Sequence, residues 1–210
     1  MNPDLERQNL VNLLAQEGIS DPRVLQVLGE VPRHSFIPWN LRHRAYENNA
    51  LPIGFEQTIS QPFVVAHMAE VLQLSASDRV LEIGTGSGYH AAVLARLVTE
   101  VHTVERLPEL HELATQTLGE LGYHNVYTHL GDGSLGLPEK PHFNAISVTA
   151  AAERVPPSLL AQLANGGRLV IPVGERGAQI LEIITRHGDK LEHQRSFGVR
   201  FVPLVGEEGW

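Results

Sequence analysis

Leu5, Leu10, Leu13 and Leu14 recur at helical spacing along an otherwise polar stretch that Gly18 stops, the pattern of an amphipathic helix. Asp21 before Pro22 reads as an N-cap and first-turn proline opening a second helix towards Leu28. From Val31 to Pro62, the residues Pro32, Pro38, Pro52, Gly54 and Pro62 interrupt every period, so this segment is expected to be mostly irregular. A connection of that length in a compact domain is usually functional. From Asp78 onward the pattern changes to short aliphatic runs alternating with helical stretches of about 10 to 15 residues, the signature of βαβ units. Strands are expected at Arg79 to Ile83, Val101 to Glu105, Val126 to Leu130, Ala145 to Thr149 and Arg168 to Pro172. Helices are expected at Tyr89 to Val98, Pro108 to Leu121 and Pro156 to Ala164, the last two opened by their prolines. Two further extended runs, Gln179 to Thr185 and Leu191 to Phe201, flank His187-Gly188-Asp189 and read as an antiparallel hairpin closing the sheet.

With 210 residues, 42% hydrophobic and 19% charged, the chain is sized and composed for one globular domain. That domain divides into residues 1–62 (helices and a long loop), 78–174 (the βαβ core) and 175–210 (C-terminal strands). Sixteen Lys and Arg against 24 Asp and Glu give a formal net charge of −8, which argues against nucleic acid as a partner. The absence of cysteine excludes a disulfide framework, thiolate catalysis and sulfur-ligated zinc. No apolar run approaches the roughly 20 residues of a membrane helix, and Asp4, Glu6 and Arg7 do not fit a signal peptide. A cytoplasmic protein without membrane association, monomeric by charge and composition, is expected. The 11 histidines show no metal-ligand spacing: His187 and His193 face each other across a turn, His124 and His129 run from loop into strand, and no acidic third ligand accompanies either pair. No metal is expected, and His90 reads as a flank residue of its helix.

The segment Leu81 to Tyr89, LEIGTGSGY, runs from a strand through Gly84, Gly86 and Gly88 into a helix. Glycine is required where the backbone turns sharply and a ligand approaches it closely. The dinucleotide fingerprint would place its third glycine where Tyr89 stands, and a Walker loop would need a Lys-Ser or Lys-Thr that is missing. Glu105, 17 residues past Gly88, ends the next strand, where a carboxylate can accept hydrogen bonds from two ribose hydroxyls. Gly131-Asp132-Gly133 follows the third strand, so three elements converge on the carboxyl edge of a parallel sheet, where ligands bind.

Glu82 to Gly88, Glu105 and Gly131-Asp132-Gly133 resemble the S-adenosyl-L-methionine site of class I methyltransferases. More narrowly, several blocks resemble the protein-L-isoaspartate O-methyltransferase family: Leu51-Pro52-Ile53-Gly54, Gln57-Thr58-Ile59-Ser60-Gln61-Pro62, Val148-Thr149-Ala150-Ala151, Gly166 to Gly174 and Val199 to Leu204. The resemblance implies a Rossmann-like α/β fold with a mostly parallel seven-stranded sheet, helices on both faces, an antiparallel C-terminal hairpin and a helical N-terminal extension. It implies methyl transfer from S-adenosyl-L-methionine, releasing S-adenosyl-L-homocysteine, to the free carboxylate of L-isoaspartyl and often D-aspartyl residues in damaged proteins and peptides. On this resemblance Ser60 is the catalytic serine. Ile59, Gln61, Glu82, Gly84, Gly86, Gly88, Glu105, Asp132 and Gly133 bind the cofactor, with Asp132 near the adenine, and Thr58, Ser60 and Arg200 contact substrate. Phe55-Glu56 and Asn144 depart from the family's usual residues, which bears on substrate scope.

The chemistry suits these residues. Transfer of a methyl group from a sulfonium to a carboxylate cancels both charges, and an aspartyl-type carboxyl of pKa about 4 is already ionised, so no general base is needed. Orientation and exclusion of water remain the protein's tasks. A neutral hydroxyl such as that of Ser60 aims the oxygen without overstabilising the ground state. Ser60 also reads as an N-cap ahead of Pro62, and Arg200 as a solvated surface arginine. Alternatives are a methyltransferase acting on an aspartate of a dedicated peptide, a non-catalytic cofactor-binding homologue and a nicotinamide oxidoreductase.

Overall fold

The computed structural model describes residues 2–140 and 142–210; Met1 and Pro141 lie outside the described residues. Helix α1 (Pro3–Gln16) opens on Asn2, whose side chain accepts from the amides of Asp4 and Leu5. Its buried face is the pair Leu10 and Leu14, while Leu5 and Leu13 are exposed, so the apolar stripe is narrower than the sequence suggests. Helix α2 (Pro22–Glu30) begins as expected at Asp21, whose carboxylate accepts from the Arg23 amide.

The segment from 31 to 61 is more ordered than its prolines suggest. Two 3₁₀ turns, Arg33–Phe36 and Trp39–Arg44, lead into an antiparallel hairpin of β1 (Leu51–Gly54) and β2 (Gln57–Ile59). The hairpin corrects the irregular reading. Pro52 and Gly54 hide its alternation, and its two central turn residues, Phe55 and Glu56, hold positive φ angles of 51° and 58° without being glycine or asparagine. Helix α3 (Pro62–Val71) follows at once.

The main sheet has seven strands in the order β5-β4-β3-β6-β7-β8-β9. Strands β3 (Arg79–Ile83), β4 (Glu100–Glu105), β5 (Val126–Leu130), β6 (Phe143–Val148) and β7 (Leu163–Glu175) run parallel. Strands β8 (Ala178–His187) and β9 (Lys190–Val199) form the expected antiparallel closure, β8 pairing with β7 and β9 with β8. Helices α4 (Tyr89–Ala95), α5 (Pro108–Glu120) and α6 (Pro157–Gln162) are the crossovers. Each is shorter than its sequence period; α6 stops at Gln162 because β7 begins five residues before Arg168.

Successive strand residues point to opposite faces, and the core divides accordingly. Val80, Val101, Ala145 and Val170 pack with residues of α1 to α5, including Leu14, Leu28, Met68, Leu94 and Leu118. Their neighbours Leu81, Ile146, Leu169 and Ile171 pack on the other side with Leu159 of α6 and with Leu204. Strand β3 pairs with β4 on one flank and β6 on the other. The chain therefore reverses its winding between β3 and β6, which opens a crevice at their carboxyl ends.

Candidate active site

The crevice is built on the turn after β3. Gly84, Gly86 and Gly88 hold φ angles of 92°, 53° and 85°, the left-handed region that side chains disfavour. At Gly84 space demands glycine as well: a Cβ would lie 2.5 Å from Thr149 Oγ1, which donates to the Gly84 carbonyl at 2.7 Å. Gly88 has a different task, since a Cβ there would meet Leu118 of α5; it lets the two helices approach and does not line the cleft.

Glu105 ends β4 and faces this turn. One carboxylate oxygen accepts from the Gly86 amide at 2.9 Å, and the other from the amides of Arg106 and Leu107 at 2.9 and 3.0 Å. Three fixed donors hold the carboxylate against the cleft wall and occupy three of its four lone-pair sites; the fourth, on the oxygen bonded to Gly86, is left for a ribose hydroxyl. Gly133 closes the third side, where a Cβ would lie 2.5 Å from Ile83 Cγ2. The cleft is thus lined by Ile59, Gly84, Gly86, Glu105 and Gly133, and their backbone shape and donor set fit an adenosyl group.

Two expected contacts are elsewhere. Asp132 does not line the cleft: its carboxylate accepts from the Ser134 amide and hydroxyl at 2.9 and 2.7 Å and from the Glu207 amide at 2.7 Å. Burial acts to raise its pKa, but the bonds from Glu207 and Ser134 outweigh it and hold the carboxyl below its ordinary value. The Asp132 side chain thereby ties the turn to the C-terminal segment. Glu82 is fully buried under the glycine turn, and burial pushes its carboxyl up to about 8. Thr103 donates to it at 2.5 Å, and Thr85, which does line the cleft, stands 2.7 Å from Thr103, so Glu82 reaches the site only through two hydroxyls.

A second cavity adjoins the first. Phe63, Phe197, Val199 and Phe201 supply apolar walls; Gln61 and Arg200 line it too, which moves Gln61 from the cofactor cleft to this side. Thr58, Ser60, Thr149 and Val202 line both cavities. Arg200 donates to the Gly177 carbonyl at 3.2 Å and forms no ion pair among the described residues, which leaves its charge at the cavity wall. The N-cap reading of Ser60 fails: Gln61 is the N-cap of α3 and makes no capping bond, and the Phe63 amide is satisfied by Asn48 Oδ1 at 3.0 Å.

Two lining residues carry no signal of that role in the sequence. Thr149 bridges the two cavities. His90 is buried and lines the cleft instead of flanking it; burial lowers its pKa to about 4, its Nε2 lies 3.5 Å from Ser147 Oγ, and its Nδ1 has no partner. It lies in the first turn of α4, which is buried throughout, and no spacing rule signals that. Phe55 and Glu56 sit on the hairpin tip and line neither cavity.

A mostly parallel seven-stranded sheet whose crest joins a glycine turn to a strand-end acid, with a second cavity opening beside it, defines a class I methyltransferase. Residues 5–209 match the family described as protein-L-isoaspartate(D-aspartate) O-methyltransferase, and the chain belongs to that family. It is 55% identical over 205 residues to a protein-L-isoaspartate O-methyltransferase of Roseiflexus sp. (strain RS-1), covering 98% of this chain and 94% of that one. A relative of the same name from Dictyoglomus thermophilum is 51% identical over 98% of this chain and 93% of its own. Among solved structures, a protein-L-isoaspartate O-methyltransferase superposes with a TM-score of 0.84 at 31% identity, covering 96% of this chain and 66% of that one. Another, from Plasmodium falciparum in complex with S-adenosyl-L-homocysteine, gives a TM-score of 0.81 at 26% identity, covering 95% and 98%.

Proposed function

We propose that the protein transfers the methyl group of S-adenosyl-L-methionine to the free carboxylate of L-isoaspartyl residues, with D-aspartyl residues as second acceptors, in damaged proteins and peptides. The observation that carries this reading is the wall of Thr58, Ser60, Thr149 and Val202 common to two adjoining cavities, where two ligands can meet end to end. When bound, the cofactor supplies an electrophilic methyl group on a sulfonium. Gly84, Gly86 and Gly133 leave room for it, Glu105 accepts from its ribose, and Ile59 covers it. Ser60 donates to the acceptor carboxylate and aims one oxygen along the transfer line, while Thr58 and Arg200 hold the acceptor's flanks. No residue has to remove a proton, because the acceptor is ionised near neutral pH. Burial keeps His90 uncharged beside a site that must receive a cation. The following backbone nitrogen of the substrate attacks the ester carbonyl and expels methanol, closing a succinimide that water reopens in part to normal aspartyl.

Residues 1–210 are proposed to act as one methyltransferase domain, monomeric and cytoplasmic, without nucleic-acid or membrane partners; sedimentation at equilibrium tests the monomer. Among the described residues no helix is long and apolar enough to cross a membrane. The acceptor is tested with an isoaspartyl peptide and its aspartyl twin, by counting base-labile methyl esters. Labelling of the first alone is expected; labelling of both, or of the aspartyl peptide only, would turn the reading towards a dedicated acceptor.

A further inference from the structure

Arg33 carries a full charge in the interior with no exposed surface. Among the described residues it forms no salt bridge. Instead its guanidinium is spread over three backbone carbonyls: Nε donates to Ala45 at 2.8 Å, Nη1 to Ser60 at 3.0 Å and Nη2 to Asn49 at 3.1 Å. Its flat face covers the ring of Tyr89, with Cζ 5.1 Å from the ring centroid. Burial depresses its pKa to about 10, so it remains a cation at neutral pH.

A buried cation without a counter-ion is a poor way to add stability, because its desolvation has to be recovered from hydrogen bonds and ring contact alone. Its geometry does what an apolar side chain cannot. The planar fork fixes three separate points of the 45–60 connection relative to one another. One of those points is the carbonyl of Ser60, so the guanidinium sets the direction in which that residue presents its hydroxyl. The ring under the guanidinium belongs to the first residue of α4 and lines the cofactor cleft. One side chain therefore joins the acceptor loop to the cofactor side of the site.

We propose that Arg33 is a positioning residue for methyl transfer: by holding the Ser60 carbonyl and the Tyr89 ring together, it sets the alignment of acceptor carboxylate and cofactor without touching either. This rests on the functional reading above. A displacement on the scale of one ångström between reacting groups is enough to lower turnover by about 100-fold while leaving binding almost intact.

The test uses Arg33→Lys, which keeps the charge and loses the fork, and Tyr89→Leu, which removes the ring beneath it and leaves Arg33 in place. With saturating S-adenosyl-L-homocysteine bound, amide exchange at residues 45–50 and 58–61 is expected to quicken about tenfold in Arg33→Lys, with β3 and β4 unchanged. With an isoaspartyl peptide, kcat should fall about 30-fold while the Kd for S-adenosyl-L-homocysteine stays within about threefold. Tyr89→Leu should show the same separation at roughly a third of the size. Unchanged exchange in the loop, or a kcat within about twofold of the parent, would overturn the proposal, as would a fall in kcat and Tm accompanied by a matching rise in Kd, the mark of a purely structural role. If Arg33→Lys does not fold, Tyr89→Leu decides by the same criteria. If the parent protein fails to methylate the isoaspartyl peptide, the functional reading fails while the exchange measurement still decides whether Arg33 orders the loop.

Discussion

On the proposed reading, Ser60 and Glu105 divide the work of the site between a group that aims and a group that grips. Ser60 caps no helix, so on the function proposed above Ser60→Ala removes only a donor to the acceptor carboxylate. A lost hydrogen bond to a charged group amounts to about 1.5 to 3 kcal/mol, so kcat should fall roughly 10- to 100-fold while Tm moves by less than about 2 °C. Steady-state rates and a melting curve on the same preparation check both halves. Glu105 has more to lose, because its carboxylate also orients the amides of Gly86, Arg106 and Leu107. Glu105→Ala should weaken S-adenosyl-L-homocysteine binding by at least about 1.5 to 3 kcal/mol, measured by titration calorimetry. An unaltered Kd would remove the ribose assignment. Glu105 is legible from local syntax, a strand end after a glycine turn, whereas Ser60 is legible only through its family block, since its own syntax ahead of Pro62 reads as an N-cap. Asp132 and Glu82 are expected at the cofactor through the family motifs alone, and neither lines the cleft. The C-terminal segment claims the first, and complete burial removes the second from the cleft.

At the level of elements, the βαβ core was legible because its strands are short aliphatic runs and Pro108 marks a helix start. Helix lengths were less so, since the capping of α4 and the early start of β7 depend on partners far along the chain. The β1–β2 hairpin was illegible for a local reason. Its two-residue loop demands positive φ at both positions, the usual signal for which is Asn-Gly, and this chain has Phe55-Glu56. The double substitution Phe55→Asn, Glu56→Gly should therefore relieve backbone strain and stabilise the protein by about 1 kcal/mol, read as a higher urea midpoint at unchanged m-value. Because neither residue lines a cavity, kcat on a short isoaspartyl peptide should stay within about twofold.

For the molecule as a whole, buried titratable groups set opposite limits on the pH range of stability. His90 is depressed to about 4 by burial, and His102 and His129 are lowered chiefly by burial as well. These imidazoles are neutral when folded and take up protons when unfolded, so stability should decline as pH falls below about 6.5. Glu82 behaves in the opposite sense. Its folded pKa of about 8 lies above the unfolded value, so its contribution is complete at low pH and is lost as pH rises towards and through 8. Chemical denaturation across pH 5 to 9 should give a dome, and Glu82→Gln should flatten the fall between about pH 6.5 and 8 and steepen the acid side, where Glu82 opposes the histidines. The sheet order has one more consequence, and it concerns synthesis. Strand β3 needs β6 on one flank, yet β4, two helices and β5 leave the ribosome before β6 does. A nascent chain halted before Phe143 would present an unfinished apolar edge to every neighbour, so the translating cell has to shelter the first two thirds of this protein until the central pairing closes.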